Sequence, residues 1–255
     1  MVAAARRGFD ELVAEAAAAD VDGWDFSWLD GRASEERPSW GYARSMGERM
    51  ASATAALDLQ TGGGEVLAGV PKLPPLTVAT ESWPPNVEQA TQRLHPLGVA
   101  VVAHGIYDPL PFGSAAFDLV VSRHPIDVRW DEAARVLRRG GTYFSQEVGP
   151  RSVGELTEFM MGPQPDGESD RDPSLAAAAA EAAGLRVTDL RVESLRTEFG
   201  DVGAVIYFLR KVIWIVPGFT VEGYQDKLRE LHERIGRAGP FLATTTRFLI
   251  EAVKP

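Results

Sequence analysis

The sequence contains no cysteine, so disulfides, thiolate metal sites and cysteine nucleophiles are excluded. It has four histidines, none at metal-ligand spacing, which argues against a bound metal. No apolar run approaches the ~20 residues that a membrane span requires. The opening MVAAARRGFDELVAEAAAAD lacks the apolar core of an export signal, because Asp10, Glu11 and Glu15 interrupt it. Basic charge is also short. The 26 Lys and Arg stand against 36 Asp and Glu, and the net charge of −10 argues against a broad phosphate-binding surface. The expectation is a cytoplasmic protein that engages neither a membrane nor nucleic acid; its oligomeric state is not legible. With 255 residues and 45% hydrophobic composition, the chain is long enough for one large α/β domain.

The most informative stretch is 56–70, ALDLQTGGGEVLAGV. Residues 55–59 form a short apolar run, as expected of a strand buried on both faces, with Asp58 near its carboxyl end. Gly62, Gly63 and Gly64 allow a tight turn and leave no side chains in the way of a ligand. A short helix at 65–69 follows, ended by Pro71. A strand-like LTVAT then ends on a second acid, Glu81, about 20 residues beyond the first turn. The dinucleotide fingerprint would need a small residue where Leu67 stands, and the P-loop would need a Lys-Ser/Thr pair that is missing.

Periodicity predicts the remaining elements. Helices are expected over 9–19, 43–52 and 131–138, the last stopped by Gly140 and Gly141, with Asn86 capping a further helix to Leu94. A capping box at 152–155 opens a helix to Met161, and 174–183, 200–216 and 221–235 read as helices. Strands are expected over 99–103, 117–121, 142–148, 185–195 and 241–253. The polar segment 162–172 reads as a loop that serves as a lid. An aromatic segment carries Trp24, Phe26, Trp28, Trp40 and Tyr42, which either pack the N-terminal arm or roof a ligand. His124, just past the strand at 117–121, is the histidine placed like a general base, with an ordinary pKa near ~6.5.

The acid and glycine pattern at Asp58, Gln60, Gly62 and Gly64 resembles the first motif of class I S-adenosylmethionine-dependent methyltransferases, E/D-x-G-x-G-x-G, with Gln60 replacing the first glycine. The span 105–121 resembles that family's G-D-A-x-x-L-P-F…F-D-L-V signature. Gly105 matches, and Ile106 stands where the adenine-binding aspartate is expected, with Asp108 two positions late. The resemblance implies a doubly wound, Rossmann-like seven-stranded α/β sheet of order 3-2-1-4-5-7-6, strand seven antiparallel, with helices on both faces. It implies a single methyltransferase domain with an N-terminal arm at 1–50, a cofactor core at 51–199, a helical insertion at 200–240 and a last strand at 241–255.

The cofactor implied is S-adenosylmethionine, with contacts from Asp58, Gln60, Thr61, Gly62, Gly64, Glu81, Ser82, Trp83, Gly105, Ile106, Tyr107, Ser122 and Arg123. Catalysis falls to His124, and Trp28, Trp40, Tyr42 and Tyr207 are expected to line an acceptor pocket. The acceptor expected is a small molecule. The alternatives are methylation of RNA or protein, or cofactor binding without catalysis.

Overall fold

The computed structural model describes residues 7–164 and 171–255. In chain order the elements are α1 (Phe9–Ala18), β1 (Ala33–Glu35), α2 (Tyr42–Ser52), β2 (Ala55–Leu59), α3 (Glu65–Ala68), β3 (Leu76–Glu81), α4 (Pro84–Leu94), β4 (Ala100–Ala103) and β5 (Phe117–Arg123). There follow α5 (Trp130–Val136), β6 (Leu137–Val148), α6 (Gly154–Met161), α7 (Pro173–Ala182), β7 (Arg186–Phe199), α8 (Val202–Lys211), α9 (Gln225–Ala238) and β8 (Phe241–Val253). The chain divides into two compact units. One comprises Met1–Glu36, Arg151–Gly167 and Ser194–Thr245, and the larger comprises Arg37–Pro150, Glu168–Glu193 and Thr246–Pro255.

In the larger unit, strands β2, β3, β4, β5 and β6 pair in parallel, and β8 runs antiparallel to β6. Alternate residues of a strand point to opposite faces, and here both faces are apolar. Leu57, Val120 and Tyr143 join one core with Ala133 and Val136 of α5 and Ala180 of α7. Their neighbours Ala56, Leu119, Val121 and Phe144 join the other core with Met46 and Met50 of α2 and Ala90 and Leu94 of α4. Burial on both faces explains why β2 reads as an uninterrupted apolar run. In the smaller unit, Phe9 and Leu12 of α1, Leu156 of α6, Ile206 of α8 and Leu228 of α9 share a third core.

The full strand order is β1-β7-β8-β6-β5-β2-β3-β4. The seven expected strands stand in the expected order, and β1 adds an eighth at the edge through antiparallel pairing of Ala33 with Phe199. Three residues, one half-buried and two exposed, carry too little hydrophobic pattern to announce a strand.

Several boundaries differ from the sequence expectation. α5 ends at Val136 rather than at the glycines, because Leu137 already pairs with Phe117 in the sheet. Gly140 adopts φ 76° inside β6, and a side chain on Gly141 would press on the backbone carbonyls of Arg138 and Asp118. Asn86 does not cap α4. Two prolines, which have no N–H to cap, open that helix, and Asn86 is buried within its first turn. Glu155 does not close a capping box; its carboxylate accepts from the Thr244 N–H at 2.9 Å and from the Thr244 hydroxyl at 2.7 Å. α8 begins at an Asp201 cap and stops at Lys211, short of the expected Val216. The expected lid at 162–172 falls largely on residues 165–170, outside the described residues.

Candidate active site

The site lies at the carboxyl ends of β2, β3, β5 and β6. After β2 the backbone turns through three consecutive features: Gln60 at φ 55°, Gly62 at φ 64° and Gly64 at φ 80°. Left-handed backbone is inexpensive for glycine and costly for a glutamine, so Gln60 needs compensation. Its side chain supplies it. The amide Nε2 donates to the Asp127 carbonyl at 2.6 Å, and Oε1 accepts from the Ile126 N–H at 2.7 Å. Gln60 therefore ties the turn to the segment that follows β5, where a glycine would leave open space.

Glu81 organises the other side of the turn. One carboxylate oxygen accepts from the Gly62 N–H at 2.8 Å; the other accepts from the Ser82 N–H at 2.8 Å and the Trp83 N–H at 3.0 Å. Charge-assisted bonds of this kind are among the stronger ones in a protein. Asp58 is 5% exposed and accepts from the Thr61 hydroxyl at 2.6 Å. Burial pushes its pKa up to about 7, the Thr61 bond opposes the rise, and the charge of Glu81 adds to it.

A cleft lined by Gln60, Thr80, Glu81, Ile106, Asp108 and Tyr143 opens between these strand ends. Gly105 lies at its rim, where a side chain would displace the exposed Asp108 carboxylate. Asp108, two positions after Ile106, nevertheless brings a carboxylate into the same cleft. Tyr107 is exposed, and its carbonyl accepts from Arg129 Nη1 at 2.7 Å. Trp83 is 40% exposed, which leaves a ring face for contact. Ser122 is fully buried; its hydroxyl donates to the Leu59 carbonyl at 2.8 Å, joining β5 to β2, and Arg123 beside it is exposed.

His124 also has left-handed backbone, at φ 56°. A chain of bonds fixes its ring. Trp40 Nε1 is solely a donor, so the Gln146 atom it reaches at 2.8 Å is the amide oxygen. Gln146 Nε2 must then donate to His124 Nε2 at 2.9 Å, which assigns the imidazole proton to Nδ1. Burial holds the His124 pKa well below its usual value, reinforced by the charges of Arg123, Arg247 and Arg171. The ring is neutral, and the nitrogen able to take a proton already accepts a bond.

Among the aromatic residues, Tyr42 is buried, stacks on Phe144 with ring centroids 5.2 Å apart, and donates its hydroxyl to the Ser122 carbonyl at 2.7 Å. In the smaller unit, Trp28 and Tyr207 stack with centroids 4.6 Å apart, and Tyr207 donates to the Asp25 carbonyl at 3.1 Å. Each of these rings has a structural partner.

Sequence reasoning passed over Thr80, Asp127, Arg129 and Tyr143, all of which line the cleft. Thr80 precedes Glu81 and Tyr143 lies on β6, so the strand-end positions were a usable signal; Asp127 and Arg129 come from an irregular segment that carried none.

A glycine turn after the central strand, an acid ending the next, and a sheet of this order are features the chain has in common with class I S-adenosylmethionine-dependent methyltransferases. Residues 57–145 match the methyltransferase domain family. The fold resembles that of the YcgJ protein from Bacillus subtilis, at 18% identity and a TM-score of 0.61, covering 84% of this chain and 97% of the other. A protein from Bacillus halodurans C-125, provisionally described as a methyltransferase, is 18% identical with a TM-score of 0.58, covering 83% of this chain and 98% of its own. A Haloferax volcanii protein, provisionally described as a methyltransferase and solved with the Trm112 methyltransferase activator, is 19% identical with a TM-score of 0.52, covering 99% and 100%. No curated protein matches the chain.

Proposed function

We propose that the protein binds S-adenosylmethionine in the cleft at the carboxyl ends of β2, β3 and β5 and transfers its methyl group to a small-molecule acceptor in the cytoplasm. The observation that carries the reading is Glu81 braced against the Gly62 N–H beside a side-chain-free turn. A carboxylate so held presents its remaining lone pairs to a ribose diol. Asp58 and Thr61 support the turn from below, and Gly105, Ile106 and Tyr107 with Ser82 and Trp83 border the adenine. Gly64 keeps the turn compact, because a side chain there would strike Leu94. Gln60 and the backbone beyond Arg123 border the methionine end.

When bound, the cofactor supplies an electrophilic methyl group, so the protein has chiefly to position the acceptor and exclude water. His124, neutral and donating from Nδ1, marks the transfer centre and orients the acceptor. An uncharged or apolar acceptor rather than a polyanion is in keeping with the net charge of −10.

Labelled S-adenosylmethionine incubated with the protein and fractionated cell extract tests this reading. Label is expected in the low-mass fraction. Label confined to RNA or to protein would transfer the assignment to a macromolecular acceptor.

A further inference from the structure

Tyr143, Ser145 and Glu147 occupy alternate positions of β6 and so point to one face of the sheet, about 7 Å from one to the next. On that face the Tyr143 hydroxyl, the Ser145 hydroxyl and Glu147 Oε1 are all buried, and none makes a well-formed hydrogen bond to any described residue, their nearest polar neighbours being one another. Each buried polar group left unsatisfied costs about 1–3 kcal/mol. Three of them in a row are therefore a feature that demands a ligand. The row starts in the cleft, which Tyr143 lines, and runs toward the carboxyl end of the strand. On the opposite face of the same strand, Gln146 is fully engaged with Trp40 and His124. The two faces thus differ: on one the polar side chains bond partners on other elements, and on the other they do not.

We propose that this row is the acceptor's polar anchor: Tyr143 and Ser145 hold an acceptor hydroxyl and Glu147 receives its proton. The inference rests on the methyltransferase reading and names the acceptor class within it. The acceptor oxygen forms its bond to the methyl carbon as the carbon–sulfur bond of the sulfonium breaks, and the O–H proton passes to the Glu147 carboxylate and later to solvent.

The donors select a hydroxyl over an amine: Tyr143 and Ser145 can both donate to the two lone pairs of an acceptor oxygen, whereas an amine nitrogen offers one. Arg171, ahead of α7, acts on both Glu147 and His124, and Arg123 and Arg247 add their charges at His124. The groups acting on Glu147 are Ser145 and Tyr143 on its own strand, Arg171 before α7 and Asp127 after β5. Burial outweighs them and lifts its pKa to about 7, a value suited to a base at neutral pH.

The test uses the whole chain, with Glu147→Gln and Ser145→Ala as variants. S-adenosylhomocysteine is titrated into each protein by calorimetry. Failure of the wild type to bind refutes the cofactor reading itself. With binding intact, labelled S-adenosylmethionine is offered with simple phenols, aliphatic alcohols and primary amines. Hydroxyl compounds are expected to take the label, and Glu147→Gln is expected to lower transfer by about 10²–10⁴-fold with unchanged S-adenosylhomocysteine affinity. Ser145→Ala, which only shortens a side chain, is expected to lose about tenfold in phenol affinity, measured as chemical-shift perturbation of the cofactor-free protein. Preferential labelling of amines, no labelled hydroxyl compound, wild-type transfer by Glu147→Gln, or unchanged phenol binding by Ser145→Ala would each overturn the proposal.

Discussion

At the scale of single residues, the site is defined by side chains whose hydrogen-bonding capacity is either fully used or left free. Gln60 is fully used: its amide bonds in both directions hold the segment after β5 against the glycine turn. Gln60→Gly should relieve the left-handed backbone yet release that segment, at a cost of about 1–3 kcal/mol in stability from the bonds removed. Urea unfolding of the two proteins, compared at equal slope, measures it. His124 is fully used as well. An asparagine tolerates its φ of 56°, so His124→Asn should fold normally. If His124 orients rather than deprotonates the acceptor, the variant should keep turnover within about tenfold, against the far larger loss expected on removing a base. Steady-state kinetics with labelled cofactor decide between these outcomes.

At the scale of elements, the helix α5 secures the loop between β4 and β5 that forms one wall of the cleft. Glu132 accepts from the Leu110 N–H at 2.6 Å and from Arg135 at 2.7 Å, while Arg135 donates to the carbonyls of Phe112 and Leu110. The Arg135 bond holds the Glu132 carboxyl below its ordinary pKa, against the opposing effect of burial. Glu132→Ala leaves a buried N–H without a partner and should cost about 1–3 kcal/mol, read from the urea midpoint. This wall shows how much was legible beforehand. The residues 105–121 announced a strand, a loop and a strand, and the structure supplies β4, the loop and β5. What the chain could not announce was Glu132 as the clamp, because its partner Leu110 is 22 residues away and becomes adjacent only when the sheet assembles. The same reason accounts for α5 ending at Val136: sheet pairing at Leu137 overrides a helical pattern that continued to Arg138. The aromatic residues were visible as a cluster, but their partners were not. Trp40 and Tyr42 find Gln146 and Ser122 on strands 106 and 80 residues away in sequence.

At the scale of the whole molecule, two buried carboxyls with pKa values raised to about 7, Asp58 and Glu147, set a pH dependence of stability. Both values exceed those of the unfolded chain, so the folded protein binds more protons between them. The stability associated with the neutral carboxyls is fully present below about pH 4 and is lost as pH rises through about 7. Asp58→Asn and Glu147→Gln remove one titration each. Each should flatten the decline in melting temperature between about pH 5 and 7.5, and the double variant should flatten it further. Melting curves collected across that range, at constant ionic strength, provide the check. An unchanged slope in both variants would show that the carboxyls are ionised at ordinary values.

The central claim is that Glu81 and the glycine turn form a cofactor site, and calorimetric titration of S-adenosylhomocysteine into the wild type and Glu81→Ala tests it most directly. The carboxylate is braced by three backbone N–H groups, so its loss removes both a charged partner of the ligand and the order of the turn. The account predicts saturable binding to the wild type with one site per chain, weakened in a folded Glu81→Ala protein by about 1.5–3 kcal/mol. Equal affinity in the two proteins, or no binding to either, would contradict it.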